Sequence, residues 1–149
     1  MKKVIMVSAC LLGFPTRYDG KSKPDKRVLN FLKRENAVIV PFCPEQLGGL
    51  PTPRIPSEIQ GKKGWGEGVR VINKAGQDVT ENFIRGAKVS LEIARFSNPD
   101  LIIMKERSPS CGVNYIYDGT FSKRVVYGMG VATYYLKKAG YRVISEEEL

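Results

Sequence analysis

The sequence predicts an α/β domain with a mainly parallel sheet and one small hairpin outside that sheet. Short apolar runs alternate along the chain with segments in which apolar residues recur at helical spacing. The runs are continuously apolar rather than alternating, which is typical of parallel strands covered by helices on both faces. No low-complexity linker interrupts the 149 residues, so we expect one domain spanning residues 1–149.

The first half of the chain contains two predicted strands and one helix. The run KKVIMVSA at 2–9 reads as a buried strand, and DKRVLNFLKREN at 25–36 has the apolar spacing of a helix. NAVIVPF at 36–42 predicts the second strand. It leads into the loop PFCPEQLGGLPTPRIPSE at 41–58, whose five prolines restrict the backbone.

The second half continues the alternation. The alternating VRVI and the turn-like NKAGQD within residues 64–80 predict the small hairpin, and Thr80 is the expected N-cap of a long helix. DLIIMKE at 100–106 predicts a third strand, followed by a turn-rich segment at 107–122. A last helix is expected from about Gly128 to Lys138, with the strand YRVIS at 141–145 after it.

Composition limits the possible functions. The formal charge of +9 favours binding of phosphates, nucleotides or nucleic acid, although the basic residues stand in short scattered groups that are typical of solvated helix faces. The chain has no histidine, so proton transfer near neutral pH requires a carboxylate, lysine, tyrosine, thiol or metal-bound water. No apolar run approaches the roughly 18 to 20 residues of a membrane span, and we expect a cytoplasmic protein.

The three cysteines predict a shared metal site. Cys10, Cys43 and Cys111 each follow the carboxyl end of a predicted strand. In a parallel sheet those ends lie at one edge, where ligands bind, so the three residues are expected to converge. An odd number of cysteines in a cytoplasmic protein argues against disulfides. Three buried free thiols are the alternative interpretation.

The identity of the metal is left open by the spacing. Thiolates suit zinc or an iron–sulfur cluster, and the absence of any C-x-x-C pair excludes ordinary zinc-ribbon and ferredoxin patterns. Three thiolates without a fourth cysteine or a histidine would leave one metal position open for water or substrate.

Several further residues in these loops are candidates for binding. Gly48 and Gly49 would let the chain pass close to a cofactor or substrate, or simply form a turn. Gly128 and Gly130 would expose backbone amides to an anion, or serve helix packing. Four more side chains could grip phosphate or stack on a base, with surface salt bridges and core edges as the alternatives: Arg17, Tyr18, Arg54 and Lys105.

Four long motifs resemble the thiouracil desulfidase family. They are SACLLG with RYDG, then CPEQLGGLPTPRIPSE, then KERSPSCG followed by YDGTFS, and finally GMGVATYYLKKAGYRVISEE. The resemblance runs from about residue 5 to the C-terminus, which is nearly the whole chain.

The resemblance implies a Rossmann-like, three-layer α/β domain that holds a 4Fe-4S cluster by Cys10, Cys43 and Cys111, with the fourth iron free of protein ligands. It implies desulfuration of thiolated uracil compounds, in which C=S becomes C=O and hydrogen sulfide is released. The family's catalytic glutamate maps onto Glu45. Its catalytic serine maps onto Ser108, with Ser110 as the competing candidate.

The mechanism that these residues permit is hydrolytic and needs no redox change. The open iron would bind and polarise the thiocarbonyl sulfur, water would attack the ring carbon, and Glu45 would move the proton. We expect a small thiolated pyrimidine as substrate, such as 4-thiouracil or its nucleotide. The alternatives are a tRNA thiouridine desulfidase and a metal-bearing regulatory module that binds nucleic acid. The sequence does not predict the oligomeric state.

Overall fold

Eight strands, four α-helices and two short 3-10 helices, Ala9–Leu12 and Glu146–Glu148, make up the fold in a computed structural model that describes residues 2–61 and 63–149. Met1, with which the predicted domain begins, and Lys62 lie outside the described residues. The strands are β1 (Val4–Ser8), β2 (Val38–Phe42), β3 (Ser57–Ile59), β4 (Val71–Asn73), β5 (Leu101–Met104), β6 (Tyr115–Tyr117), β7 (Val125–Tyr127) and β8 (Val143–Ser145). The helices are α1 (Lys26–Glu35), α2 (Pro44–Leu47), α3 (Thr80–Ser97) and α4 (Val131–Lys138).

Four strands form a central parallel sheet in the order β2-β1-β5-β8. Their short β-branched and aliphatic runs suit strands that are buried in the middle of a layered domain. The chain runs from β1 outward to β2 and then crosses back to β5 on the other side of β1. The carboxyl ends of β1 and β5 therefore border the point where the strand order reverses, which is where ligands bind in such sheets.

Helices cover both faces of this sheet. On one face Met6 and Ile102 pack with Leu136 of α4 and with residues of α3. On the other face Ile5 and Ile103 pack with residues of α1. Successive side chains of β1 and β5 thus point to opposite faces of the sheet and pack in two separate apolar clusters. The predicted α/β class with three layers and a mainly parallel sheet is confirmed.

Strand β2 departs from the expectation that both strand faces are covered. Val38 and Ile39 remain 47% and 42% exposed, because β2 is the outer strand of the sheet and pairs only with β1 in the described chain. Pro41 lies in this strand and has no N–H to offer on the open edge, which suits an edge position.

The two helix starts differ from the predicted ones. Val79 occupies the N-cap of α3, and Thr80 is the first helical residue; its N–H donates to Asp78 Oδ1 at 2.9 Å. Helix α4 begins at Val131 rather than near Gly128, because the preceding glycines pack against other loops instead of extending the helix.

Two antiparallel hairpins lie outside the main sheet. The predicted hairpin exists, but β4 pairs with β3 from the end of the proline-rich loop; its own turn adds a single bridge between Ile72 and Asp78. The pairing of β6 with β7 was not predicted: β6 lies within the turn-rich segment 107–122, and β7 lies between that segment and the last predicted helix. Its strands have only three residues each, which is too short for a visible alternation.

The proline-rich loop contains one unpredicted turn of helix, α2, which rests on α3 through two glycines. Cys43 is the N-cap of α2 and Pro44 its first residue, a position where the missing N–H costs nothing. A Cβ on Gly86 would lie 1.9 Å from the carbonyl oxygen of Pro44, and one on Gly48 would lie 2.0 Å from that of Asn82. Only glycine lets the two backbones approach this closely.

We expect the substitution Gly86→Ala to destabilise the protein by about 2 kcal/mol, because the new methyl group overlaps the backbone of α2. Alanine would otherwise gain about 1 kcal/mol inside a helix, so a net loss reports the contact itself. Urea unfolding measures the difference. Gly66→Ala is the control, since a Cβ there meets nothing within 4 Å. A Gly86→Ala protein as stable as the wild type would contradict this packing.

Candidate functional site

The three cysteines line one cavity at the carboxyl edge of the sheet. Cys10 follows β1, Cys43 follows β2, and Cys111 lies in the loop after β5. All three border a cavity of about 420 Å³, together with residues of the Ser108–Ser110 segment and of the proline-rich loop. The convergence predicted from the three strand ends is therefore present.

Burial keeps these thiols protonated in the absence of a positive partner. It raises the pKa of Cys10 to about 11 and that of Cys111 to about 12, and it also raises the pKa of Cys43. The neighbouring thiols raise these pKa values further, since Cys43 acts on both Cys10 and Cys111. A bound metal removes this penalty, because a thiolate ligand is stabilised by the metal in place of the proton.

The donor set fits an iron–sulfur cluster better than a single ion. Within residues 2–61 and 63–149, no three cysteine, histidine or acidic side chains are grouped so as to hold one metal ion. The three thiols nevertheless share one cavity, where a group larger than a single ion could contact all of them. Soft thiolates and the lack of histidine favour iron and sulfide.

Glu45 lies on α2 two residues after Cys43 and also lines the cavity. Its Oε1 accepts from Arg54 Nε at 2.9 Å, and its Oε2 accepts from Ser110 Oγ at 2.8 Å. The carboxylate is thus fixed from both sides. The Sγ of Cys43 donates to the carbonyl oxygen of Thr16 at 3.7 Å, which ties the same helix to the loop after Cys10.

Arg54 is committed to these contacts and does not serve as a phosphate grip. Besides Glu45, its guanidinium donates to the Thr16 carbonyl at 2.8 Å, to Thr52 Oγ1 at 2.9 Å and to the Pro51 carbonyl at 3.2 Å. Its side chain is only 6% exposed. Arg54 therefore forms a salt bridge, as one of the alternative interpretations predicts, but a largely buried one rather than a surface salt bridge.

Ser108 and Ser110 have different partners. The Oγ of Ser108 accepts from the backbone N–H of Ser110 at 3.2 Å and of Cys111 at 3.0 Å. The Oγ of Ser110 donates to Glu45, and the two hydroxyl oxygens lie 3.0 Å apart. Since the hydrogen of Ser110 points to Glu45, Ser108 is the donor in the contact between the hydroxyls.

The first turn of α4 contacts the loop from the end of β5 to the first residue of β6, residues 105–115, which we call the cysteine loop. The amides of this turn bind the cysteine loop rather than an anion. The amide of Val131 donates to the Pro109 carbonyl at 2.9 Å, and that of Ala132 donates to the Ser110 carbonyl at 2.9 Å. A Cβ on Gly130 would lie 2.5 Å from the carbonyl carbon of Ser110, so this glycine permits the contact. A Cβ on Gly128 would lie 2.9 Å from the backbone nitrogen of Gly64, so this glycine also permits a close backbone contact. The packing interpretation of these two glycines is the one that the structure supports.

Gly48 and Gly49 are not among the cavity-lining residues. Gly48 faces the backbone of Asn82 on α3, and a Cβ on Gly49 would lie 3.6 Å from an Arg85 guanidinium nitrogen. Their contribution to the site is indirect, through the seating of α2.

Glu106 is a functional residue that sequence reasoning missed. It is only 1% exposed, and its Oε1 accepts from the amides of Val113 at 2.7 Å, Asn114 at 2.9 Å and Tyr115 at 3.0 Å. These bonds close the loop that carries Ser108, Ser110 and Cys111. A carboxylate at the end of an apolar strand, directly before a turn-rich segment, was the available signal.

Besides Arg54, six basic side chains line the cavity: Arg17, Lys23, Lys74, Lys105, Arg107 and Lys123. Three of them are paired, Arg17 with Asp19 at 3.6 Å, Lys105 with Glu146 at 3.4 Å, and Arg107 with Glu147. Throughout the described chain, no side-chain partner is seen for Lys23, Lys74 and Lys123. Tyr18 is 41% exposed at the same rim, under the Arg17 guanidinium at 5.8 Å.

Comparison with known proteins places these features in a family. The family model of 2-thiouracil desulfurase matches residues 5–148. The uncharacterized protein YbbK of Bacillus subtilis (strain 168) is 44% identical over 151 residues, which cover 98% of this chain and 97% of that protein. The solved structure of the [4Fe-4S]-dependent thiouracil desulfidase TudS superimposes with a TM-score of 0.87 at 43% identity, covering 99% of this chain and 93% of that one.

Replacement of Glu106 by alanine is expected to lower the free energy of unfolding by about 3 kcal/mol, because three buried amides lose their acceptor. Glu106→Gln, which keeps one carbonyl oxygen, should cost less. Urea unfolding checks both. Glu92→Gln serves as the control, because that side chain is 57% exposed and the change should stay within about 0.5 kcal/mol.

The same carboxylate predicts a pH dependence. Burial alone would raise the pKa of Glu106, but the three amides and the Asn114 side chain bring it below the ordinary value of 4.5. The stabilisation by Glu106 is therefore complete above pH 4.5 and disappears as pH falls through the lower folded value. In that acidic range the free energy of unfolding of the wild type should approach that of Glu106→Gln. A difference in unfolding free energy that stays constant with pH would contradict the lowered pKa of Glu106.

Proposed function

This chain belongs to the 2-thiouracil desulfurase family, and we propose that it removes sulfur from thiolated uracils by means of a 4Fe-4S cluster. The reaction replaces C=S by C=O and releases hydrogen sulfide. The observation that carries the proposal is the meeting of two buried thiols, one half-buried thiol and a Glu45–Ser110 pair in one cavity. We propose that residues 1–149 form a single domain for this reaction, and that it acts in the cytoplasm, where thiol ligands stay reduced. No helix in the described parts of the chain has the length and apolarity of a membrane span.

Cys10, Cys43 and Cys111 are the proposed ligands of the cluster. The chain has no fourth cysteine and no histidine, so one iron has no thiolate or imidazole ligand from this protein. When bound, the cluster supplies at that iron a soft Lewis acid for the thiocarbonyl sulfur.

Glu45 is the proposed proton carrier of a hydrolytic, non-redox reaction. Its carboxylate accepts a proton from the water that attacks the ring carbon and returns it to the departing sulfur, so that C=S and H₂O become C=O and H₂S. Arg54 holds one carboxylate oxygen in place at 2.9 Å. This leaves Glu45 oriented before substrate enters, which lowers the cost of reaching the reactive geometry.

Ser110 is the serine that we propose to act with Glu45. Its hydroxyl contacts the carboxylate directly, whereas Ser108 lies one hydrogen bond farther away and accepts two backbone amides. The family resemblance maps the catalytic serine onto Ser108, with Ser110 as the competing candidate. The geometry favours Ser110 as the contact of Glu45 and Ser108 as the residue that orients Ser110 and the Cys111 amide.

The proposed substrate is a small thiolated pyrimidine, as the free base or its nucleotide. The cavity of about 420 Å³ falls in the range of small-molecule sites. Lys23, Lys74 and Lys123 offer ammonium groups at its rim for the phosphate of a nucleotide. The tRNA and regulatory-module alternatives are less favoured, since the sequence has no recognisable nucleic-acid-binding motif and the paired Glu45 and Ser110 suit chemistry better than sensing.

The first experiment is to reconstitute the protein without oxygen, measure iron and acid-labile sulfide, and follow sulfide release from 4-thiouracil, 2-thiouracil and the 4-thiouridine monophosphate nucleotide. We expect about four irons per chain and release of one sulfide for each uracil ring formed. The nucleotide should be used at lower KM than the base because of the rim lysines. Bound zinc, or folded protein that takes up no iron, would refute the cluster proposal.

A second experiment separates the roles of the three polar residues. Glu45→Gln and Ser110→Ala should bind iron normally yet lose about 100-fold or more in kcat, the size of one acid–base contribution. Ser108→Ala should instead lower iron content or stability, because the amide of Cys111 loses its acceptor. Wild-type turnover in Glu45→Gln, at equal iron content, would remove Glu45 from the mechanism.

A further inference from the structure

A seven-residue loop, residues 118–124, joins β6 to β7 and reaches the cavity. We call it the hairpin loop. Its ends are tied by the amide of Asp118, which donates to the carbonyl of Arg124 at 2.9 Å. Phe121 and Lys123 of this loop both line the cavity. The resemblance to the desulfidase family implies no role for either residue.

Two residues of the hairpin loop have an unfavourable backbone conformation. Phe121 has φ of 57° and Lys123 has φ of 62°, both in the left-handed region. For residues with a Cβ this conformation costs roughly 1–2 kcal/mol each, and it is unusual for an aromatic residue. Such strain persists only where surrounding contacts hold it, and it concentrates at functional sites.

Glu58 of β3 holds the hairpin loop by hydrogen bonds to the loop backbone. This glutamate is 8% exposed and lines the same cavity. Its Oε1 alone accepts two amides of the loop, that of Gly119 at 2.9 Å and that of Phe121 at 3.1 Å. The Nε2 of Gln60 donates to the Gly119 carbonyl at 3.2 Å and fixes the same segment from the other side.

Gly119 permits this attachment. Its φ of 95° and its close approach to β3, where a Cβ would lie 2.9 Å from the carbonyl oxygen of Ile59, both require glycine. The loop is therefore docked on β3 by its backbone. Its side chains remain available to the cavity: Phe121 is half-buried there rather than packed in either apolar cluster.

We propose that Phe121 is a specificity-determining residue whose ring packs against the face of the pyrimidine, and that Glu58 is the positioning residue that holds it there. This inference rests on the proposed function, because it takes a pyrimidine as the occupant of the cavity. A flat aromatic ring is the natural partner of a pyrimidine face, with a stacking contribution of about 1–3 kcal/mol. Glu58 acts through the backbone of the loop and transfers no proton.

The positioning role of Glu58 can be distinguished from proton transfer by substitution, because a single oxygen, Oε1, accepts both loop amides. Glu58→Gln retains a carbonyl oxygen and can accept both amides, whereas Glu58→Ala leaves them without an acceptor. A proton-transfer role would give the opposite result for the glutamine variant, which cannot ionise. The pair of variants therefore distinguishes positioning from acid–base chemistry.

The test uses the cluster-loaded wild type as reference and five variants at matched iron content: Phe121→Leu, Phe121→Tyr, Glu58→Ala, Glu58→Gln and Ser122→Ala. KM and kcat for the thiolated base, calorimetric binding of uracil, and hydrogen exchange of the amides of residues 119 and 121 are measured. Ser122→Ala is the matched control, because it changes an exposed residue of the same loop that does not line the cavity.

We expect Phe121→Leu and Glu58→Ala to raise both KM and the uracil dissociation constant about 10-fold, with a smaller effect on kcat, as loss of one stacking contact requires. Phe121→Tyr, Glu58→Gln and Ser122→Ala should stay close to the wild type. Exchange at residues 119 and 121 should accelerate in Glu58→Ala alone.

Unchanged KM and uracil binding in Phe121→Leu would overturn the role of Phe121. Loss of turnover in Glu58→Gln with slow amide exchange would overturn the positioning role of Glu58, because it would indicate proton transfer. Failure of the wild type to release sulfide from any thiolated uracil is a different result and refutes the proposed function. In that case uracil binding and amide exchange still decide whether the loop is held by Glu58 and recognises a pyrimidine.

Discussion

The whole site depends on the fixing of irregular loops by hydrogen bonds to their backbone amides. The loop after β5 and the hairpin loop both reach the cavity, and neither contains enough regular structure to hold itself. The protein supplies buried acceptors instead: Glu106 takes three consecutive amides of the cysteine loop, and Glu58 takes two of the hairpin loop. Buried amides left without acceptors would cost about 1–3 kcal/mol each, so these carboxylates decide where the loops lie.

The charges of the site follow from the same arrangement. A chain with a net charge of +9 nevertheless uses several of its few acidic residues inside or beside one cavity. Glu106 is satisfied by amides, and Glu45 by Arg54 and Ser110. With those carboxylates internally matched, the basic residues at the rim give the cavity mouth an excess of positive charge, which attracts anionic ligands from solution.

Sequence patterns predicted the layered fold and the convergence of Cys10, Cys43 and Cys111, because strand periodicity and parallel topology place strand ends together. They could not give the partners of Arg54 or the pairing of β3 with β4. Those contacts depend on how the loops fold back in three dimensions, and nothing in local composition encodes them. The motif alone also leaves the choice between Ser108 and Ser110 open, since residues two apart share a motif while their hydroxyls take different partners in three dimensions.

Cys43 and Glu45 show why a proline-rich loop carries reactive side chains. Prolines alone restrict φ but do not fix the position of a loop relative to the sheet. That position comes from α2, which is started by Pro44 and seated on α3 where Gly86 meets its backbone. Because α3 packs on the central sheet, the separation between a proposed ligand and a proposed proton carrier is set by a rigid helix. The segment that carries both residues therefore needs no ordering when a substrate binds.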